Sequence, residues 1–238
     1  MRIEYWIAIA IPVLCGPRAQ EGQDERRDQR VAMVHDQIEE RGVTDARVVE
    51  ALRDVPRHLF VPDDLRDVAY EDYPLPIGYG QTISQPYIVG VMTQLLAPEP
   101  KHKILEIGTG SGYQAAVLSM LVEHVYTIEI IPELAEEART RLRALGYDNI
   151  TVITGDGYRG HPDDAPFDGI IVTAAPEEVP RPLLDQLRIG GRLVIPVGSA
   201  IQELEVIERT DKGYETRTVF PVRFVPMTGE AERKRPFD

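Results

Sequence analysis

The sequence predicts an α/β fold: a doubly wound, mostly parallel sheet of seven strands with an antiparallel hairpin at its C-terminal edge. Two observations lead to this class. Between residues 103 and 196, short β-rich apolar runs alternate with helical patterns, which is typical of parallel sheets covered by helices. After residue 198, two runs of alternating polarity follow each other without a helical pattern between them, which predicts antiparallel pairing.

The elements follow in order along the chain. Val31, Val34 and Ile38 have the spacing of one helical face and predict a helix ahead of the sheet. Pro132 suits the first turn of a helix, and Gly146 lies just past the end of the same helix. Parallel strands are predicted at 103–107, 125–129, 150–154, 168–173 and 192–196, helices at 113–122, 132–145 and 182–187, and the hairpin strands at 203–208 and 217–225.

Composition excludes several function classes. A chain of 238 residues with 43% hydrophobic content is long enough to bury a sizeable core. Its formal net charge of −13 gives no general attraction to phosphate backbones, so we predict no nucleic-acid partner. Cys15 is the one cysteine, and no Cys/His cluster has zinc spacing, so no metal is expected.

The N-terminal part is predicted to be separate from this fold. Residues 6–15 are apolar but too short to span a membrane. A leader peptide, a lipoprotein site at Cys15 and an amphiphilic appendage all remain open. The sequence therefore divides into residues 1–30, an apolar segment and linker, and residues 31–238, one domain with an N-terminal helical cap. No stable membrane association is expected.

The most informative motif lies at residues 104–112, which read I-L-E-I-G-T-G-S-G. A strand ends close to the acid Glu106, a turn follows with Gly108, Gly110 and Gly112, and a helical pattern begins at Tyr113. The spacing departs from the dinucleotide-binding fingerprint G-x-G-x-x-G. An acid followed by G-x-G-x-G resembles motif I of S-adenosylmethionine-dependent methyltransferases, in which this loop holds the amino-acid end of the cofactor.

Two further acids follow predicted strands. Glu129 ends the second strand, 21 residues after Gly108 (129 − 108), and an acid there can accept hydrogen bonds from both hydroxyls of a ribose. Asp156, in the sequence Gly155-Asp156-Gly157, follows the third strand and can accept from an adenine amino group. Ligands of open α/β sheets bind outside these strand ends, so the three acids predict one nucleoside site.

Longer blocks narrow the class. Residues 55–62 read V-P-R-H-L-F-V-P, residues 73–89 contain G-Q-T-I-S-Q-P, and G-D-G, P-V-G and V-R-F-V-P-M-T follow. Together they closely resemble the protein-L-isoaspartate O-methyltransferase family over about residues 31–228. The resemblance implies a Rossmann-like methyltransferase sheet and the cofactor S-adenosyl-L-methionine. It also implies methylation of L-isoaspartyl and D-aspartyl residues in damaged proteins and peptides, which begins their repair.

The resemblance also implies the site residues. Ser84 matches the family's active-site serine, although a serine in a Gly/Pro-rich loop is often only a turn former. The cofactor-binding residues are predicted to be Gln81, Thr82, Ile83, Ser84, Glu106, Gly108, Gly110, Ser111, Glu129, Asp156 and Gly157. The substrate-binding residues are predicted to be Ser84, Val225, Pro226 and Thr228. The last three could equally belong to an edge strand that ends at a proline.

Two alternatives stay open at this stage. A nicotinamide-dependent oxidoreductase would also carry an acid after the second strand, but it predicts a G-x-G-x-x-G spacing that this chain lacks. A non-catalytic isoaspartyl-binding module would keep the groove and lose the three acids, which are present. The expected protein is a monomeric enzyme of the cytoplasm, or an exported one if residues 1–19 act as a signal peptide.

Overall fold

A computed structural model describes residues 26–233. The predicted apolar segment at residues 6–15 lies outside this range. The helices are α1 (Arg27–Met33), α2 (Ala46–Asp54), α3 (Pro86–Leu96), α4 (Tyr113–Ser119), α5 (Pro132–Ala144), α6 (Arg181–Asp185) and α7 (Glu230–Arg233). The strands are β1 (Leu75–Gly78), β2 (Gln81–Ile83), β3 (Lys103–Ile107), β4 (His124–Glu129), β5 (Ile150–Thr154), β6 (Phe167–Val172), β7 (Leu187–Val197), β8 (Gln202–Thr210) and β9 (Gly213–Val222).

Seven strands form the main sheet in the order β5-β4-β3-β6-β7-β8-β9. The first five are parallel to one another, and β8 and β9 extend the sheet by antiparallel pairing. The predicted fold class is therefore confirmed. The chain runs from β3 outward to β5 and then returns to β6 on the other side of β3. This reversal creates a crevice at the carboxyl ends of β3 and β6.

Buried side chains fill both faces of the sheet. Ile104 of β3 packs with the cluster under α2, α3, α4 and α5, whereas its neighbour Leu105 packs with the cluster that includes Leu183 of α6. Successive side chains of a strand point to opposite faces, so a run of apolar residues marks a strand that is covered on both sides. Among the described residues, no helix is long and apolar enough to cross a membrane.

The helical face predicted at the N-terminal end is partly wrong. Val34 and Ile38 are buried as predicted, but Val31 is 39% exposed, and Met33 is buried beside Val34 instead. The regular helix α1 ends at Met33 and a wider π-helical turn, Val34–Ile38, follows it. A π turn changes the angular spacing between residues, so a face extrapolated at 3.6 residues per turn goes out of phase.

The predicted element boundaries hold for β3 and β5 and shift elsewhere. Helix α4 ends at Ser119 rather than at residue 122. Strand β7 begins at Leu187, which was predicted to close a helix, and extends five residues ahead of the predicted start at residue 192. Strand β9 ends at Val222, so the predicted continuation to residue 225 is wrong, and residues 223–228 follow the strand as a separate segment.

Candidate active site

The loops after β3, β4, β5 and β6 meet at the crevice and enclose a cavity, here called the glycine-loop cavity. Both sides of the chain reversal contribute to it, together with β2 and the segment after β9. It is lined by Gln81, Thr82, Ile107, Gly108, Gly110, Ile128, Glu129, Ile130, Ile131, Gly157, Thr173, Ala174, Val225, Pro226, Met227 and Thr228.

The glycine loop needs its first glycine for two reasons. Gly108 has a φ of +95°, in the left-handed region that side chains disfavour. A Cβ at this position would also lie 2.4 Å from the Thr173 hydroxyl oxygen. The amide of Gly108 donates to the Ile128 carbonyl at 2.8 Å, and the Thr173 hydroxyl donates to the Gly108 carbonyl at 2.7 Å. The loop is thus fixed from β4 on one side and from the end of β6 on the other.

Glu129 carries the charge of this cavity and is only 5% exposed. One carboxylate oxygen accepts from the Gly110 amide at 2.8 Å, and the other accepts from the Ile131 amide at 3.1 Å. These two bonds orient the carboxylate and bind it to the glycine loop. Each oxygen retains a second lone pair, so the carboxylate can still accept two hydrogen bonds from a ligand.

Glu106 lies beneath the glycine loop and does not line the cavity. It is fully buried, and this burial raises the pKa of its carboxyl to about 8, so the group is neutral at pH 7. The Thr127 hydroxyl donates to one carboxyl oxygen at 2.6 Å and lies 2.7 Å from the Thr109 hydroxyl. Glu106 therefore connects β3, β4 and the glycine loop through hydrogen bonds.

Asp156 occupies a neighbouring position rather than the cavity wall. Its carboxylate accepts from the Tyr158 amide at 3.0 Å and from the Glu230 amide at 2.8 Å. It lines an adjoining cavity of about 410 Å³ together with Arg159 and Glu230, which form an ion pair at 2.7 Å. Asp156 thus holds the C-terminal segment against the turn that follows β5.

A larger groove of about 830 Å³ adjoins the glycine-loop cavity. Thr82, Thr173 and Val225 line both spaces, so the two are separated by shared side chains. Ser84 lies in this groove and not in the glycine-loop cavity. The groove is lined by Arg41, Pro74, Thr82, Ser84, Gln85, Tyr87, Ile88, Thr173, Phe220, Pro221, Val222, Arg223, Phe224 and Val225.

The segment after β9 forms the wall common to both spaces. The Ala175 amide donates to the Val225 carbonyl at 2.8 Å, and the Met227 amide donates to the Ala175 carbonyl at 2.8 Å. Ala175 and Pro226 form an isolated parallel bridge, which fixes the segment against the loop after β6. Of the residues in this segment that were predicted to bind substrate, Val225 lines both spaces, whereas Pro226 and Thr228 line the glycine-loop cavity and not the groove.

The comparisons with known proteins agree on one family. The sequence profile of the family described as protein-L-isoaspartate(D-aspartate) O-methyltransferase matches residues 28–232. The chain belongs to this family. A protein-L-isoaspartate O-methyltransferase of Picosynechococcus sp. is 55% identical over 202 residues, which are 85% of this chain and 91% of the relative. The enzyme of the same name from Opitutus terrae is 49% identical over 224 residues, which are 93% and 96% of the two chains.

Solved structures show the same architecture. A protein-L-isoaspartate O-methyltransferase structure superimposes with a TM-score of 0.77 at 28% identity, covering 86% of this chain and 67% of the other. A Plasmodium falciparum protein, solved in complex with S-adenosyl-L-homocysteine, gives a TM-score of 0.74 at 23% identity, covering 84% and 98% of the chains. The cofactor of this methyltransferase family is S-adenosyl-L-methionine, as the resemblance implied.

The glycine-loop cavity encloses about 70 Å³, and its lining has the chemistry that this methyltransferase cofactor requires. Glu129 has two free acceptor positions for ribose hydroxyls, and Ile130, which is 36% exposed, offers an apolar contact for a purine face. The residues that were predicted to bind the cofactor and that line the cavity are Gln81, Thr82, Gly108, Gly110, Glu129 and Gly157.

The other five residues predicted to bind the cofactor do not line the cavity. Ile83 and Ser111 are buried, and Glu106 lies beneath the loop. Asp156 lines the adjoining cavity instead, although each of its carboxylate oxygens accepts from one backbone amide, as in Glu129. Ser84, predicted for both ligands, lines only the groove.

Sequence reasoning missed Thr173, which the structure places between the two spaces. Its hydroxyl donates to the carbonyl of Gly108 and also lies 3.0 Å from the carbonyl of Ile107. A signal for it was present, because Thr173 directly follows β6 in the same way that Gly108 follows β3.

We predict that Asp156→Asn weakens cofactor binding and also lowers the free energy of unfolding. The carboxamide nitrogen would face either the Tyr158 or the Glu230 amide, so two donors would meet and one bond would be lost. Such a loss costs about 1–3 kcal/mol. Calorimetric titration with S-adenosyl-L-homocysteine and urea denaturation measure the two effects. Asp148→Asn, at an exposed position, is the control, and unchanged values for both would contradict the prediction.

Proposed function

We propose that this chain transfers a methyl group from S-adenosyl-L-methionine to the free carboxylate of L-isoaspartyl and D-aspartyl residues in damaged proteins, and so begins their repair. The family assignment supports the reaction class. The observation that carries the proposal is the shared wall of Thr82, Thr173 and Val225, because an open groove lies directly beside the glycine-loop cavity. A peptide in the groove can thereby present a side group to the cavity.

The groove also has the chemistry that a carboxylate acceptor requires. A free carboxyl has a pKa near ~4 and is ionised at pH 7, so no base is needed to activate it. Within residues 26–233, no histidine, aspartate or glutamate lines the groove. S-adenosyl-L-methionine supplies a methyl group on a positively charged sulfur. A carboxylate oxygen forms the new bond to this carbon as the carbon–sulfur bond breaks, and the electron pair remains on sulfur.

The work of the protein is therefore positioning and exclusion of water. Ser84 lies in the groove just after β2, where its hydroxyl can donate to the acceptor carboxylate. The neighbouring Gln85 is held by a hydrogen bond from its side chain to the Asp72 carbonyl at 3.0 Å, which fixes the loop. Thr82 and Ser84 thus lie on either side of the buried Ile83, which anchors the short strand β2.

The deciding experiment measures methyl transfer to a matched pair of peptides. We expect the purified protein to methylate a peptide with one isoaspartyl residue and to leave the same peptide with normal aspartate unmethylated. Both carboxylates are ionised alike, so the discrimination must come from orientation in the groove. Transfer of radiolabelled methyl groups gives the rates. Equal rates on the two peptides would contradict the proposed substrate.

Replacing Ser84 by alanine should lower turnover more than cofactor affinity. The lost positioning hydrogen bond contributes on the order of 1–2 kcal/mol, or about 5- to 30-fold in rate. Steady-state kinetics on the isoaspartyl peptide and calorimetry with S-adenosyl-L-homocysteine measure the two quantities. Ser199→Ala is the control, since Ser199 is exposed and lines neither space. A normal rate for Ser84→Ala would make Ser84 a turn-forming residue only.

We also propose that the enzyme acts as a monomer in the cytoplasm, and that the apolar N-terminal segment is separate from a single domain that includes all of α1 (Arg27–Met33). The net charge of −13 supports the absence of a nucleic-acid partner. Light scattering on the purified chain tests the monomer. Mass spectrometry of the mature N-terminus tests the location, because removal of the first residues would indicate export.

A further inference from the structure

The groove differs in charge from the rest of the molecule. The chain has 39 acidic and 26 basic residues, yet among the described residues the charged side chains that line the groove are two arginines, Arg41 and Arg223. A cleft lined by one sign of charge concentrates ligands of the opposite sign, and it does so against the repulsion of a negatively charged protein surface. The charge of these lining residues therefore favours anionic ligands.

Arg41 has partners of its own within the protein. Its guanidinium lies 3.5 Å from the centre of the Tyr87 ring and donates to the Asp72 carboxylate at 2.9 Å. Tyr87 in turn stacks on Phe220, with ring centres 6.3 Å apart. These contacts make Arg41 part of the groove wall, and the neighbouring Asp72 offsets its charge.

Arg223 is different, because its backbone is fixed while its side chain is free. In the described part of the chain, its exposed side chain makes neither a hydrogen bond nor an ion pair. The next residue, Phe224, is held on both sides by the buried Gln202. The Phe224 amide donates to the Gln202 side-chain oxygen at 2.6 Å, and the Gln202 side-chain nitrogen donates to the Phe224 carbonyl at 3.1 Å.

We propose that Arg223 forms a subsite that binds the carboxylate of an aspartate or glutamate close to the isoaspartyl residue in the substrate. The inference rests on the proposed function and adds a preference for acidic sequence context. A guanidinium offers paired donors that match a carboxylate, and a fixed backbone lowers the entropy lost on binding. The subsite selects among damaged proteins and takes no part in the methyl transfer itself.

The position of Arg223 indicates which substrate residues it can reach. Arg223 lies two residues before Val225, which lines both the groove and the glycine-loop cavity. Two residues of extended chain span about 7 Å. An extended peptide whose acceptor carboxylate lies beside Val225 therefore brings a side chain one or two residues from the isoaspartyl position close to Arg223.

The test uses a charge exchange between enzyme and peptide. Isoaspartyl peptides carry glutamate, glutamine or lysine one or two residues before or after the isoaspartyl residue. They are assayed for kcat/KM with the full chain, with Arg223→Glu and with Arg223→Gln. Arg217→Glu is the matched control, because Arg217 is an exposed arginine on β9 that does not line the groove. Peptide affinity is measured in parallel by fluorescence anisotropy with S-adenosyl-L-homocysteine present.

We expect the unaltered chain to prefer glutamate over lysine in at least one of these positions by roughly 3- to 10-fold at low salt, as for a pair of exposed charges. Arg223→Gln should abolish this preference, Arg223→Glu should reverse it, and Arg217→Glu should retain it. Raising the salt concentration should reduce it.

A preference that survives in Arg223→Glu would overturn the subsite, as would equal rates on all peptides. If no isoaspartyl peptide is methylated, the proposed function fails. The order of peptide affinities then still decides the subsite, because binding to the groove is measured without transfer.

Discussion

Replacing Glu129 by alanine is expected to weaken binding of S-adenosyl-L-methionine by about 30- to 1,000-fold, equivalent to about 2–4 kcal/mol. The buried carboxylate is oriented by the Gly110 and Ile131 amides and retains acceptor positions for two ribose hydroxyls. Removing it leaves those hydroxyls and the two amides without partners in a site that excludes water. Hydrogen bonds to a charged group are the stronger ones, so the effect exceeds that expected for Ser84.

A ligand analogue separates lost contacts from a disturbed loop. The 2′-deoxy analogue of S-adenosyl-L-homocysteine should bind the unaltered chain more weakly than the parent ligand, and Glu129→Ala should bind both equally. The four affinities form a thermodynamic cycle, which gives the coupling free energy between the Glu129 side chain and the ribose 2′-hydroxyl. Glu136→Gln, on the exposed side of α5, is the control. If the deoxy analogue loses the same affinity in both proteins, Glu129 does not bind the ribose.

Replacing Glu106 by glutamine is expected to change how the stability of the fold depends on pH. Burial raises the pKa of this carboxyl from 4.5 to about 8, so the folded protein holds a proton that the unfolded chain releases above pH 4.5. The contribution of Glu106 to the free energy of unfolding is present in full below pH 4.5, and it is lost as the pH rises through 8. The slope reaches about 1.4 kcal/mol per pH unit between these values.

Glutamine has a similar shape and does not titrate, so it should remove this slope. The free energy of unfolding, measured by urea denaturation at pH 6 and pH 8, should fall for the unaltered chain by about 2 kcal/mol more than for Glu106→Gln. Glu215→Gln, at an exposed position of β9, should behave like the unaltered chain. A Glu106→Gln protein that loses stability between these pH values as much as the parent would show that Glu106 is ionised.

The parallel core of the fold could be predicted because its strands are buried on both faces. Such strands are continuous apolar runs, and β3 was predicted to the residue. The edge strand β5 is only partly buried, and its bounds were also predicted to the residue. The strand ends also indicated the site, since Gly108, Glu129 and Gly157 all line one cavity. Parallel strands end at a common edge, so residues far apart in the sequence were brought together by topology alone.

The remaining parts depend on contacts that a sequence pattern does not record. The hairpin of β1 and β2 is short, and its turn includes Tyr79, whose φ of +52° no residue preference would indicate. Both oxygens of Asp156 are used by amides, one from the next turn and one 74 residues away. The groove is formed from α3, the segment after β9 and the N-terminal helical region, so its lining appears only when these elements are packed.

Thr82, Thr173 and Val225 line both the groove and the glycine-loop cavity. A ligand in one space would therefore form part of the wall around a ligand in the other. If the cofactor occupies the cavity as proposed, its side toward the groove would be open to solvent until a peptide binds. A peptide in the groove would close that side and remove the water that could compete with the acceptor carboxylate. Binding of the two partners is then linked, and by thermodynamic reciprocity a peptide that tightens cofactor binding is itself held more tightly once the cofactor is present.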